Sequence, residues 1–206
     1  GPIQRERHHL NLHQATSSTM RELKATLANP TEDTLKTFQT FLSYHHRIVE
    51  TLSFPIHELV IQTDRSDIIQ YFFAQYKILY PKSKSHLIGY AIENGFHIAV
   101  DTLIDMRFHF EHKMLLTDNE TLLNNIIAGR YYLHDLKLIF NEQYDDNLPL
   151  RARLKQSLGH NHYALIKSLF TKSADLFIAE FNAYQNHQHQ LDVLMIACKY
   201  KLESIF

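Results

Sequence analysis

The stretch Ser85-His-Leu-Ile-Gly-Tyr-Ala-Ile-Glu-Asn-Gly-Phe-His-Ile-Ala-Val-Asp-Thr-Leu-Ile-Asp-Met-Arg-Phe-His-Phe-Glu-His-Lys113 decides which fold the chain is expected to adopt. It begins as a short apolar segment and reaches a corner at Glu93-Asn94-Gly95, where glycine accepts a positive φ without steric cost. Apolar residues then recur at helical spacing from Ile98 to Met106. The stretch therefore predicts two helices joined by a tight corner and followed by an extended exit.

The second of these helices carries a pattern that returns along the chain. Two small or apolar residues, one polar residue and three mostly apolar residues follow one another from residue 99, and similar segments start at residues 68, 135, 165 and 201. A spacing of this size is typical of stacked helix-pair repeats, which have periods of roughly 20–50 residues. In such a stack one apolar side chain of each second helix should be buried; the candidates are Phe73, Ile104, Phe140 and Phe170.

These residues resemble a degenerate ankyrin repeat. Ala91-Ile92-Glu93-Asn94-Gly95 stands where that family has Ala-Ala-x-x-Gly, and residues 99–104 stand where it has Val-Val-polar-Leu-Leu-Leu. Ser173-Ala174-Asp175-Leu176 matches the family's Gly-Ala-Asp-Val exit. The resemblance covers residues 55–206. It implies an all-α, ankyrin-like helical-repeat solenoid of about five units.

The chain also departs from the ankyrin pattern. No unit keeps the family's Thr-Pro-Leu-His, and only Gly95 and Gly129 supply glycine at the corners. A generic α-solenoid of another kind is the alternative interpretation.

The residues ahead of the repeats predict an arm and a helical cap. Residues 1–15 are polar and are expected to form a loose arm, in which Gly1-Pro2 is typical of the scar left by removal of a tag, so that the native start is hidden. A capping box from Thr19 to Glu22 is expected to open a first helix, and a second is expected from about Pro30 to Leu52. Residues 16–54 are therefore interpreted as an N-terminal cap on an array at residues 55–206.

Composition limits the classes of protein to which the chain can belong. Its 206 residues include 21 basic and 22 acidic side chains, which argues against a nucleic-acid-binding domain because such domains carry clustered Lys and Arg. No apolar run approaches the roughly 18 residues of a membrane-spanning helix. The single cysteine, Cys198, excludes an internal disulfide and favours a reducing, cytoplasmic compartment.

Histidines and the cysteine are the candidates for chemistry. Three histidine pairs have separations that suit metal ligands but are expected to face solvent: His109 and His112, His160 and His162, His187 and His189. Cys198 follows an apolar helical segment and is expected to be a buried thiol rather than a nucleophile. These patterns predict no enzyme activity, metal or cofactor.

The ankyrin resemblance implies a module that binds another protein. In that family, partners contact the loops between repeats and the exposed end of each first helix. Transferred to the second unit, these positions are Lys82, Ser83, Ser85, Glu93 and Asn94; in the third and fourth units they are Asp118, Asn119, Arg130, Arg151 and His160. The set mixes both signs of charge, so we expect charge complementarity to select the partner.

Two other functions compete with this interpretation. Gly1-Pro2 at one end and the abrupt stop at Phe206 suggest a regulatory or targeting domain of a larger enzyme. The dipeptide His134-Asp135 suggests a divergent, metal-dependent helical phosphohydrolase, since enzymes of the HD family hold metals with such a pair. The abundance of His, Gln and Asn also resembles ankyrin-type effectors of intracellular bacteria, which act in the host cytosol.

Overall fold

The computed structural model describes residues 17–51, 54–144 and 147–200. Within these ranges the chain forms α-helices and one 3-10 helix and contains no strand, which confirms the predicted all-α class. None of the helices in this part of the chain combines the length and the apolar character that crossing a membrane requires. The predicted arm at residues 1–15 and the last repeat segment, which starts at residue 201, lie outside the described residues.

The chain divides into two compact units, Gly1–Phe108 and His109–Phe206. The boundary between them falls within the repeat array predicted at residues 55–206. The helices described in the first unit are α1 (17–27), α2 (Thr34–Thr51), α3 (Phe54–Gln62), α4 (Ser66–Gln75), α5 (Pro81–Glu93) and α6 (His97–Asp105). Helix α3 packs against α4 and α5, and α6 packs against the same two helices. Helices α3 to α6 therefore form two hairpins in consecutive layers, and α2 packs against α4.

The first two helices begin at other residues than predicted. Helix α1 is already helical at residue 17, so Thr19 lies inside it and is buried instead of capping its start. Helix α2 begins at Thr34 because a turn precedes it, in which the backbone N–H of Thr31 donates to Oγ1 of Thr34 at 2.7 Å. A non-helical φ of −118° at His45 divides α2 into two parts.

Two side chains of the turn between α3 and α4 make hydrogen bonds to neighbouring segments of the first unit. Asp64 adopts a left-handed φ of 49°, and its Oδ1 accepts a hydrogen bond of 2.8 Å from the backbone N–H of Ala99 in the first turn of α6. The next residue, Arg65, donates from Nη1 to the carbonyl oxygen of Thr31 at 2.7 Å. At the following corner Gly95 has a φ of 74°, as the sequence predicts.

Aromatic side chains fill the core of the first unit. The ring of Phe72 stacks on that of Phe38 at 6.0 Å, and Phe73 meets Phe108 edge to face at 5.5 Å. His57 lies against both Phe72 and Phe73, with ring centroids 5.7 Å apart in each case. Burial among these rings lowers the pKa of His57 to about 4, because an apolar environment disfavours the charged imidazolium.

The second unit contains α7 (His112–Leu115), α8 (Glu120–Ala128), a 3-10 helix (Tyr131–His134), α9 (Leu136–Ile139), α10 (Pro149–Leu158), α11 (His160–Thr171), α12 (Ala174–Ala183) and α13 (His187–Lys199) among its described residues. Helix α8 packs against α10, and α11 packs against α10, α12 and α13. The helices that begin at Pro149 and His160 thus form a hairpin, with α8 and α13 as neighbours.

The repeat pattern that starts at residue 135 forms only a short helix. Only α9 and the preceding 3-10 helix form, because the backbone leaves helical geometry at Asp135, where φ is −126°. At this corner Arg130, with a φ of 56°, adopts the left-handed conformation in place of Gly129. Glycine is needed at position 129 for a steric reason, because a Cβ there would lie 2.3 Å from Cε2 of Tyr131 and would clash with its ring.

The burial expected of the repeat residues is met in part. Phe73 and Phe140 are each only 3% exposed, as predicted. Ile104 and Phe170 are half-buried, so the prediction is wrong for them. Ile104 lies near the end of α6, and Phe170 borders an open cleft of about 530 Å³, which leaves one side of its ring accessible.

Candidate functional site

Most of the predicted partner-binding residues lie at the surface of their own unit. Lys82, Glu93 and Asn94 are exposed in the first unit, as are Asp118, Arg130 and His160 in the second. Ser83 and Asn119 are half-buried. Asn119 caps α8, because its side chain accepts a hydrogen bond from the backbone N–H of Leu122, and this structural role limits its use in binding.

Two of the predicted contact residues, Ser85 and Arg151, are buried and cannot meet a partner. Ser85 is 6% exposed because α5 begins at Pro81, which places Ser85 in the second turn, on the inner side of the helix. Arg151 is 4% exposed and donates from its guanidinium to three backbone carbonyl oxygens. These are the oxygens of Ile139 at 2.5 Å, Asn141 at 2.8 Å and Tyr144 at 3.2 Å. Arg151 therefore holds the chain that leaves α9.

A loop between α4 and α5 presents apolar side chains that the sequence interpretation missed. Within residues 77–80, here called the basic–apolar loop, Leu79 is 78% exposed and Tyr80 is 72% exposed. Lys77 and Lys82 are exposed on either side of them. The signal in the sequence is a pair of large apolar residues directly before Pro81, in a stretch from residue 68 to residue 92 that contains no Asp or Glu.

Both ends of the basic–apolar loop are anchored. Before it, the ring of Tyr76 stacks on Phe72 at 4.9 Å, and its hydroxyl lies 2.9 Å from Nδ1 of His46. After it, Pro81 occupies the first turn of α5, where a missing N–H costs no helical hydrogen bond. Leu79 and Tyr80 therefore project from a short segment between two fixed points.

A second candidate site is a cleft of about 800 Å³ in the second unit, lined by the first turns of α11 and α13 and the end of α12. The imidazoles of His162 and His189 stack there at 4.0 Å with 7° between their planes. The hydroxyl of Tyr184 lies 2.9 Å from Nδ1 of His189. His162 was predicted to face solvent but is only 7% exposed, because the first turn of α11 is covered by the stacked ring.

The carboxylate of Asp192 lies close to one histidine of this pair. Nε2 of His162 lies 3.1 Å from Oδ2 of Asp192, although the two are not aligned as a hydrogen bond, and Nη2 of Arg130 lies 3.6 Å from Oδ1 of the same carboxylate. Burial and the neighbouring His189 lower the pKa of His162. Stacked parallel rings do not direct their nitrogens at a common point, and the described residues contain no group of three or more His, Cys, Asp or Glu arranged to hold a metal.

The His134-Asp135 pair lies at the break between the 3-10 helix and α9. Asp135 is 9% exposed, and burial raises the pKa of its carboxyl group to about 7, against the opposing effects of the Phe110 backbone N–H and of Lys199. Nδ1 of His109 lies 3.8 Å from Oδ1 of Asp135. His134 is exposed, and its Nδ1 lies 3.2 Å from Nζ of Lys199.

Cys198, which was predicted to be buried, is exposed on α13. The residues before it are apolar on two sides of the helix, and Ile196 and Ala197 take the buried side while Met195 is 64% exposed. The apolar run therefore does not define a single inner face.

No protein-family model matches the chain, and comparison with curated proteins and with solved structures finds none that is significantly similar to it.

Proposed function

We propose that the chain is a protein-interaction module, built from stacked ankyrin-like helix hairpins, that binds a partner protein through the basic–apolar loop. The proposal combines the sequence resemblance with the hairpins α3–α4 and α5–α6, whose equivalent helices pack on each other. The hydrogen bond from Ala99 to Asp64 supports the same interpretation, since it couples the corner of one hairpin to the second helix of the next.

The observation that carries the proposal is the exposure of Leu79 and Tyr80, at 78% and 72%. Leaving apolar surface in water costs about 25 cal/mol for each Å², so a partner that covers both side chains gains affinity from their removal from water. Tyrosine is among the residues that most often dominate binding energy at protein interfaces. The loop precedes Lys82 and Ser83, which the resemblance independently implies as partner contacts.

Affinity capture from cytosolic extract tests the proposal. The bait is the wild-type chain or the double variant Leu79→Ser/Tyr80→Ser, and the proteins retained by each are quantified by mass spectrometry. The matched control is Leu116→Ser, because Leu116 is also an exposed apolar residue, at 53%, but lies in the second unit.

We expect at least one protein to be retained by the wild type and by Leu116→Ser and to be lost from the double variant, which should keep the wild-type melting temperature because surface substitutions change stability little. If all three baits retain the same proteins in the same amounts, the basic–apolar loop is not the binding surface and the proposal is wrong.

A further inference from the structure

Two stacked histidines form a titratable pair in the second unit. The ring centroids of His162 and His189 are 4.0 Å apart, and both side chains line the cleft of about 800 Å³. A single imidazolium lies favourably over a neutral aromatic ring, as other cations do. Two imidazolium rings at this distance repel each other, and the repulsion is stronger in a partly buried site than in water because the effective dielectric constant is lower. The stack therefore accommodates one proton much better than two.

Asp192 supplies a carboxylate to one side of the pair. Its Oδ2 lies 3.1 Å from Nε2 of His162. Nη2 of Arg130 lies 3.6 Å from Oδ1 of the same carboxylate, which therefore already balances one positive charge. Burial and the neighbouring His189 lower the pKa of His162, and Asp192 opposes them. Asp192 can thus stabilise a proton on His162 but not one on each ring.

The other acidic residues on helices α10 to α13 do not offset a second charge. They are Asp175 and Glu180, both on α12. Glu180 lines the cleft but forms an ion pair with Lys172. Asp175 is exposed in the first turn of α12, whereas the cleft is lined by the other end of that helix. A doubly protonated stack would therefore keep most of its repulsion.

The other titratable groups on these helices bring no negative charge to the rings in acid. His160 is exposed on α11 and lines the cleft, so its protonation adds further positive charge. Tyr184, whose hydroxyl lies 2.9 Å from Nδ1 of His189, stays neutral because burial raises its pKa. The remaining basic side chains of α10, α11 and α13 do not line the cleft; they are Arg151, Arg153, Lys155, Lys167, His187 and Lys199.

From this arrangement we infer that the stacked pair is a proton-operated gate of the cleft, which is closed near neutral pH and opens in acid. When both rings carry a proton, the His189 ring leaves the stack and exposes the face of His162 to the cleft. His162 stays in place because it is only 7% exposed and lies against Asp192. His189 moves because it is half-buried in the first turn of α13 and can carry its charge into water. This property is separate from the partner binding proposed for the first unit.

Proton NMR of the whole chain between about pH 7.5 and pH 4.5, the range in which histidines titrate, tests the inference. Nuclear Overhauser effects between the two rings report the stack, and the chemical shifts of the ring protons report how far each ring is protonated. The contact between Phe140 and Tyr163, whose ring centroids are 5.4 Å apart, is the internal reference for an intact fold, because Tyr163 follows His162 on α11.

Two variants separate the charge of His189 from its ring. His189→Phe keeps an aromatic ring over His162 but cannot be protonated. His187→Gln is the matched control, because His187 is an exposed histidine of the same helical turn that does not line the cleft.

We expect the effect between the two rings to fall at least about twofold over this pH range in the wild type and in His187→Gln, while the reference contact persists. In His189→Phe the corresponding effect between His162 and the ring at position 189 should stay unchanged, because no second charge arises. The inference is wrong if the stack persists when both rings are protonated, or if either ring stays neutral down to about pH 4.5. It is also wrong if the stack and the reference contact are lost together, since the unit then unfolds, or if His189→Phe loses its stack in the same way.

Discussion

At the scale of single residues, Arg151 shows how a charged side chain can serve the fold. Its guanidinium is buried and donates to the carbonyl oxygens of Ile139, Asn141 and Tyr144. Ile139 is the last residue of α9, and the other two lie in the segment that follows it. A four-residue helix satisfies few of its own carbonyls, so an external donor replaces the hydrogen bonds that a longer helix would make. The planar fork of arginine suits this task, whereas the single ammonium of lysine does not reach three oxygens at once.

We therefore expect Arg151→Ala to lower the free energy of unfolding of the second unit by about 2–4 kcal/mol, because it leaves buried carbonyl oxygens without donors. Arg151→Lys should recover only a minor part of the loss. Urea denaturation followed by circular dichroism measures both. Arg153→Ala is the control, since the half-buried Arg153 pairs with the exposed Glu120 and such pairs contribute about 0–1 kcal/mol. Equal effects of Arg151→Ala and Arg153→Ala would show that Arg151 does not hold the chain.

At the scale of elements, a side chain from the turn between α3 and α4 caps the start of α6. Asp64 accepts from the N–H of Ala99, so a side chain from one hairpin satisfies a backbone donor at the start of a helix in the next. Its left-handed φ of 49° suits Asp and Asn better than most other residues.

We expect Asp64→Ala to cost about 1–2 kcal/mol of stability in the first unit, since it removes the cap and places a Cβ without local hydrogen bonds in the left-handed region. Asp64→Asn keeps an acceptor and should remain within about 0.5 kcal/mol of the wild type. Hydrogen exchange at the Ala99 amide is the direct measurement, because it should accelerate only in Asp64→Ala. Unchanged protection of that amide would mean that the hydrogen bond does not contribute.

At the scale of the whole molecule, His57 and Asp135 should contribute pH dependences of opposite sign to their units, and in the second unit the lowered pKa of His162 opposes the contribution of Asp135. The pKa of His57 in the first unit is lowered to about 4, so between about pH 4 and 6.5 the unfolded state binds more protons and stability rises with pH. The pKa of Asp135 in the second unit is raised to about 7, so between about pH 4 and 7 the folded state binds more protons and stability falls as pH rises. Each effect is on the order of 3–4 kcal/mol, because the pKa values are displaced from 6.5 and 3.8 and one pKa unit corresponds to about 1.4 kcal/mol.

Hydrogen exchange of core amides at pH 5 and pH 7, corrected for intrinsic rates, separates the two units. We expect protection in the first unit to increase with pH, and His57→Gln should flatten that increase. In the second unit Asp135→Asn should make protection rise more steeply with pH than in the wild type, because the opposing contribution of Asp135 is removed. A slope that its own substitution leaves unchanged would assign the pH dependence to other groups.

The sequence predicted helices better than it predicted surfaces. Apolar periodicity and corner residues such as Gly95 are local signals, and the helices on either side of Gly95 follow from them. Whether a side chain on a helix meets solvent depends on which other helices pack against it, and no local pattern contains that information. His162, Cys198 and Arg151 were therefore assigned to the wrong environment.

The proposed partner-binding surface shows the same division. Lys82 and Ser83 were predicted as contacts from the ankyrin resemblance, whereas the exposed Leu79 and Tyr80 were not singled out. Apolar residues are usually buried, so periodicity alone assigns them to a core. Helix α4 ends at Gln75, four residues before Leu79, and only the position of that helix end reveals that the two side chains lie beyond the core.

The proline that follows the basic–apolar loop has a further consequence for recognition. A residue before proline is restricted to extended backbone conformations, and Tyr80 has such a conformation, with φ −97° and ψ 129°. The conformational entropy of this position is therefore already reduced in the free chain. When a partner covers the Tyr80 ring, less entropy remains to be lost than at a freely rotating loop residue, and a larger share of the contact energy appears as affinity.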